Sequence, residues 1–198
     1  MRRGMGRMST TYLVLFRGIN VGGKNRVPMI ALRALLIDLG FRHVRTYIQS
    51  GNAILRSDLE AEAIARSIEA AMPGRFALDS AVIRVLVLSR AELEAMIDMR
   101  PKGFGDQPDT YHSDAIFLMG VDAAEAMSAF SPKDGVDVVW PGDGLIYSQR
   151  LSAHRTRSRL NRVMSSPLYR SMTIRSWQTV SALKDIVKAV DDGEAGVD

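Results

Sequence analysis

The chain has 198 residues, 46% hydrophobic and 24% charged, a globular balance with room for one ordinary domain or two small ones. It contains no cysteine, which excludes disulfides, thiolate chemistry and Cys-ligated zinc. The formal net charge of +4 hides a strong segregation. Residues 1–11 carry three Arg, and residues 12–56 hold seven Lys/Arg against the single acid Asp38. Residues 57–143 hold sixteen acids against seven basic groups, 144–184 eight cations and no acid, and 185–198 five acids against one Lys. Two basic blocks around an acidic one predict an anion-facing surface; the alternative is a solvated surface with uneven charge. The start, MRRGMGRMSTT, lacks the apolar stretch of a secretory signal, and no apolar run reaches membrane-spanning length. A cytoplasmic location and no membrane partner are expected.

In chain order, the apolar, β-prone run Tyr12–Ile19 predicts a buried strand. Pro28 marks a helix start, Met29, Leu32, Leu35, Leu36 and Leu39 follow at helical spacing, and Gly40 ends the helix. VRTYIQSGNAILRS reads as two strands around a tight Ser50-Gly51 turn. Asp58 is expected to cap a helix over LEAEAIARSIEAAM that stops at Pro73-Gly74, and Val82–Leu88 closes the unit as a strand. A short helix at 90–100 and a Gly/Pro-punctuated link, PKGFGDQPDTYH, come next.

The order then recurs. A strand at Ala115–Met119 precedes a helix at Asp122–Phe130 capped by Asp122, then a hairpin of Val136–Trp140 and Leu145–Gln149. Arg157–Met164 reads as a helix, Met172–Ser176 as a strand and Thr179–Val190 as a closing amphipathic helix. Two copies of β-α-β-β-α-β predict an α+β protein of two tandem ferredoxin-like (α/β plait) units with a C-terminal helix. The expected boundaries are 12–89 for the first unit, 90–112 for the helix and linker, and 113–190 for the second unit with its helix. From first strand to hairpin, copy one runs from Leu13 to Tyr47 and copy two from Ala115 to Val138, so copy one carries about eleven extra residues. Most of that excess falls in INVGGKNRV, and a long strand-to-helix loop in a compact fold is often functional.

Gly18-x-x-x-x-Gly23-Lys24-Asn25 imitates a phosphate-binding P-loop, but three features oppose it. Asn25 stands where a Mg²⁺-binding Ser or Thr belongs, Pro28 delays the helix beyond Lys24, and no strand ends in the acid of a Walker B motif. The loop is therefore not a P-loop. Lys24, Asn20 and Asn25 around Gly22 and Gly23 can still form an anion-binding nest, or Gly22 and Gly23 serve a tight turn with Lys24 in water. The crossover makes the first two strands parallel, which puts Arg17 and this loop at the same sheet end as Gln49, Ser50 and Asn52.

RGINVGGKNRVPM, LGFRHVRTYIQSGNAIL and SRLNRVMSSPLYRSMTIRSWQTV together resemble the bacterial family called domain of unknown function 1697, over about residues 12–190. The resemblance implies a duplicated ferredoxin-like architecture. It implies no reaction and carries over no catalytic residue. Its signature segments are Arg17–Met29, Thr46–Asn52 and Ser158–Trp177.

The second basic block, SQRLSAHRTRSRLNRV, gathers Arg155, Arg157, Arg159 and Arg162, with Arg150, around an expected helix start, a second anion-binding candidate or a solvated basic face. Asp109-x-x-His112-x-Asp114 reads as a surface linker rather than a cation site, and no metal or cofactor is expected. Ser152 with His154 has no triad spacing, Glu60/Glu62 and Glu92/Glu94 read as solvated helix faces, and no RNP-like run marks an RNA-binding sheet. The leading expectation is binding of a phosphate-bearing ligand, nucleic acid or a nucleotide-like molecule. An enzyme acting on a small anionic substrate is one alternative, although no general base stands out. A module that self-associates into a homo-oligomer is the other.

Overall fold

The computed structural model describes residues 9–79 and 83–193. Arg2, Arg3 and Arg7 of the basic start, Val82 of an expected strand, and Glu194 and Asp198 of the acidic tail lie outside the described residues. The described chain divides into two compact units, one running up to Leu93 and resuming at Leu183, the other Glu94–Ala182.

The first unit is built on strand β1 (Thr10–Arg17), whose residues Thr11–Phe16 are all buried. A run as uniformly apolar as YLVLF suits a strand covered on both faces. Helix α1 (Met29–Asp38) follows, then strands β2 (Arg42–Tyr47) and β3 (Asn52–Ser57), helix α2 (Ala61–Arg75) and strand β4 (Arg84–Ser89). β3 and β4 flank β1 antiparallel and β2 pairs antiparallel with β3, giving the order β2-β3-β1-β4. β1 and β2 therefore run parallel. Alternation along β1 sends Tyr12, Val14 and Phe16 to one face, where they meet Leu32 and Leu36 of α1 and Ile64 and Ile68 of α2. Each of these large side chains contributes about 1.5–3 kcal/mol by leaving water.

Two local expectations fail here. Asp58 caps no helix: its carboxylate takes Arg42 Nη2 at 2.7 Å, and α2 starts after Glu60 without a side-chain cap. Pro73 does not stop α2 either, for the helix runs through it to Arg75. In the last turn the missing N–H costs a single hydrogen bond, and Phe76 N–H still reaches the Met72 carbonyl at 3.1 Å.

Helix α3 (Arg90–Asp98) leads from β4 into the second unit, which holds strand β5 (Tyr111–Leu118), helix α4 (Ala123–Met127) and strands β6 (Asp137–Pro141), β7 (Leu145–Leu151) and β8 (Met172–Ser176). Its antiparallel order is β6-β7-β5-β8. Asp122 caps α4 by accepting Glu125 N–H at 2.7 Å, although the helix is shorter than expected. β5 begins four residues before Ala115, so His112 and Asp114 are strand residues and not part of a linker. The linker also buries an anchor. Phe104 is 1% exposed and lies edge-on to Trp140, Tyr147 and Trp177 at 5.0–6.0 Å between ring centroids. Tyr147 hydroxyl donates to the Met96 carbonyl, and burial pushes its pKa up.

The helix expected at Arg157–Met164 is absent. Residues Ser152–Arg157, Leu160–Ser165 and Pro167–Ser171 form three short 3₁₀ turns. Ser158 and Ser166 interrupt them by accepting the N–H groups of Leu160 and Leu168, each at 3.2 Å. Within the middle turn only Leu160 and Val163 are buried, and that i,i+3 spacing fits a 3₁₀ helix with three residues per turn.

Helix α5 (Trp177–Asp191) closes the chain. Near its end Asp191 accepts the buried Thr11 hydroxyl at 2.7 Å and pairs with Arg90 at 2.8 Å. The Thr11 hydrogen bond first, and the Arg90 contacts next, hold the Asp191 carboxyl below its usual range. The stabilisation is complete above the unfolded carboxyl's pKa and fades as pH falls through the lowered folded value. Asp191→Ala should therefore cost about 1–2 kcal/mol at neutral pH, because Thr11 loses its acceptor. Urea denaturation at a series of pH values should show the gap to wild type closing in acid.

Candidate functional site

Eleven residues, 18–28, separate β1 from α1, against four, 119–122, between β5 and α4. The longer loop is a miniature hairpin. Lys24 N–H donates to the Val21 carbonyl at 3.0 Å and Asn20 N–H to the Asn25 carbonyl at 3.1 Å, with Gly22 and Gly23 at the tip. Both glycines take positive φ, +58° and +78°, as a two-residue hairpin turn requires, and a Cβ on either would meet nothing within 4 Å. The glycine requirement here is one of backbone conformation and not of space.

Three asparagines hold this hairpin to the sheet. Asn20 Nδ2 donates to the Val27 carbonyl at 2.9 Å and the Gln49 carbonyl at 3.0 Å, while its Oδ1 accepts Val27 N–H at 2.8 Å. One side chain thereby ties the outgoing loop to the β2–β3 turn. Asn25 is buried, and its Nδ2 donates to the Gly18 carbonyl at 2.7 Å. Asn25 N–H meets the Asp79 carboxylate at 2.6 Å. Asn52, wholly buried, donates to the Tyr47 carbonyl at 2.9 Å and Ser50 Oγ at 3.0 Å. Gly51 fills the remaining gap at φ +80°: a Cβ there would stand 2.7 Å from Ile19 Cδ1 and 2.9 Å from Phe16 Cβ.

The structure thus brings Asn20, Gly22, Gly23, Lys24 and Asn25 beside Gln49, Ser50 and Asn52 at one end of the first sheet. The asparagines serve as frame, whereas Gly22, Gly23, Lys24, Gln49 and Ser50 are exposed. Arg17 ends β1 at this edge and stands opposite Arg84, the first residue of β4. Arg84, the exposed Arg26 and the acid Asp79 were not singled out by sequence reasoning; the pairing of β1 with β4 was the signal that would have found Arg84. α1 starts at Met29, five residues after Lys24, so no helix N-terminus faces the lysine.

Of the second basic block, Arg155 and Arg157 ride on the first 3₁₀ turn, Arg162 on the second, and Arg159 between them; all four are exposed. The expected helix start does not exist here, so the macrodipole argument for an anion lapses. No group of three or more His, Asp or Glu able to hold a metal occurs among the described residues, and no described helix is long and apolar enough to cross a membrane.

Two four-stranded antiparallel sheets with helices define an α+β protein whose distinctive local feature is a clasped glycine-tipped loop. The chain belongs to the family described as protein of unknown function (DUF1697), whose profile matches residues 9–147. The match stops short of the expected signature at Ser158–Trp177. Among solved structures, a conserved bacterial protein from Streptococcus pneumoniae is similar with a TM-score of 0.73 and 25% identity, over 90% of this chain and 99% of that one. None of the curated proteins matches.

Frame and free residues should separate experimentally. Asn20→Ala removes two hydrogen bonds to the buried Val27 and one to the Gln49 carbonyl, and should lower stability by about 1–3 kcal/mol. Lys24→Ala should change it by less than about 0.5 kcal/mol. Urea denaturation of the two variants checks this, and equal stabilities would show that Asn20 does not hold the loop.

Proposed function

We propose that the loop edge of the first unit binds a phosphate-bearing ligand, nucleic acid or a nucleotide-like molecule. The observation that carries this reading is the exposed Gly22-Gly23-Lys24 tip, whose loop is tied by the Asn20 side chain to the β2–β3 turn that exposes Gln49 and Ser50, with Arg17 and Arg84 opposite each other where β1 meets β4. In this reading Arg17, Lys24, Arg26 and Arg84 supply charge, Gly22 and Gly23 backbone donors, and Gln49 and Ser50 orienting polar groups. Asn20, Asn25 and Asn52 hold those groups in place.

The repeated strand order supports reading the units as tandem ferredoxin-like copies, in which the first has gained a loop and the second has replaced a helix with 3₁₀ turns. A cytoplasmic setting, where nucleic acids and nucleotides abound, suits the proposed ligand.

Binding of short single-stranded RNA, DNA and ATP, followed by fluorescence anisotropy across a salt series, tests the proposal. Affinity should fall steeply with salt, and Lys24→Ala and Arg84→Ala should each reduce the log–log slope by about 0.7–0.9. If neither substitution changes the slope while removal of Arg155, Arg157 and Arg159 does, the ligand belongs on the second basic block. Absence of binding to every probe at low salt would overturn the reading.

A further inference from the structure

The second sheet carries an unusual stripe on the face beneath the 3₁₀ turns. Strand register places Asp137, Arg150 and His112 in one row, and Ser148, Asp114 and Ser176 in the next. Side chains two apart share a face, so these rows form a polar end to a surface that continues as Ile146, Ile116 and Ile174. In the first unit the corresponding face is covered by two α-helices. Here the cover over this end is the turn Leu160–Ser165, and a cavity of about 230 Å³ remains beneath it. His112, Asp114, Ser148, Arg150 and Asn161 make its polar wall, and Ile116, Leu160, Val163, Met164 and Ile174 its apolar wall.

The polar groups are unequally satisfied. Asp114 and His112 hydrogen-bond each other at 3.1 Å. Asp137 Oδ2 accepts the N–H groups of Lys133 at 3.0 Å and Arg159 at 2.8 Å, which pins the basic segment over the sheet. Arg150 Nε, in contrast, is buried and has no hydrogen-bond partner among the described residues. A buried guanidinium N–H without an acceptor costs more than a typical hydrogen bond returns, so such a group calls for an explanation. The Asp137 Oδ1 one strand away is also unpartnered, yet it does not receive the Arg150 proton.

We propose that this cavity binds a small organic anion, a carboxylate or phosphate monoester on an apolar body, with the Arg150 guanidinium as anchor and the His112–Asp114 pair beside it. The guanidinium fork matches either oxyanion in charge and plane. The five apolar side chains fit a compact hydrocarbon body, and the few convergent polar groups among apolar walls are typical of a small-molecule site. Arg159 and Arg162, exposed on the covering segment, attract anions towards it. His112 lines the cavity beside the anchor, and Asp114 is placed to fix its orientation. Burial, outweighing the opposing influence of His112 and Arg150, raises the Asp114 carboxyl above its ordinary value, in keeping with a dry wall. This site lies wholly within the second unit and is independent of the loop edge.

The experiment is a calorimetric and ¹H–¹⁵N NMR titration of the full chain with benzoate, phenyl phosphate, inorganic phosphate and benzyl alcohol. Benzoate or phenyl phosphate should bind and shift the Arg150 Nε–H and His112 ring signals, while inorganic phosphate and benzyl alcohol bind at least tenfold more weakly. Arg150→Met should weaken the aryl anions at least tenfold. Met164→Trp, at a half-exposed position on the covering turn, should block them without disturbing the fold. A preference for benzoate or for phenyl phosphate assigns the headgroup. Failure of both aryl anions to bind wild type, or their undiminished binding to Arg150→Met and Met164→Trp, overturns the proposal.

Discussion

The candidate edge of this protein depends on the side chain of Asn20. It bonds two backbone groups of Val27 and one of Gln49, joining segments that are 29 positions apart in the chain. Val27 is 1% exposed, so its N–H and carbonyl would otherwise lack water as a partner. That clasp ties down an eleven-residue loop, seven residues longer than its counterpart between β5 and α4. With it, the Gly22-Gly23 tip and Lys24 hold a defined position over the β2–β3 turn. The same turn requires Gly51, because a side chain at that position would enter the space of Ile19 and Phe16. Loop and turn are thus fixed against the core and not merely against each other.

The direction of the strands is the second constraint. β1 is antiparallel to both its neighbours, so its C-terminal end meets the start of β3, the start of β4 and the loop at once. That geometry sets the Cα positions of Arg17 and Arg84 opposite each other. The second unit repeats the strand order but handles the helical layer differently. Serine side chains at 158 and 166 and Pro167 break the segment after β7 into three 3₁₀ turns. The cavity beside Arg150 is lined by the middle turn. Two similar sheets thereby carry two unlike polar features, one on a loop and one on a sheet face.

Much of this was legible in the sequence. The strands could be read from their apolar runs, and Pro28 marked the start of α1, because these signals are local. Gly, Asn and Lys in an inserted loop likewise marked the edge, and the crossover rule placed Gln49, Ser50 and Asn52 beside it. Other features depend on tertiary partners. Asp58 resembles a helix cap until Arg42 on the neighbouring strand takes its carboxylate. Arg157–Met164 has helical composition, but its side chains have only two buried positions to fill, which a 3₁₀ turn satisfies. His112 and Asp114 looked like linker residues because the strand boundary lay hidden behind Pro108 and the turn before it. Arg84 and Arg150 gain meaning only from register, which composition does not reveal.

The measurement that tests the central claim most directly is a residue-resolved one. The ¹⁵N-labelled chain would be titrated at low salt with a short single-stranded RNA and, separately, with ATP, following every backbone amide. The account predicts shifts concentrated at residues 17–26, 49–51 and 84, with Gly22 and Gly23 among the largest. Shifts confined to 155–162, or none anywhere, would contradict it.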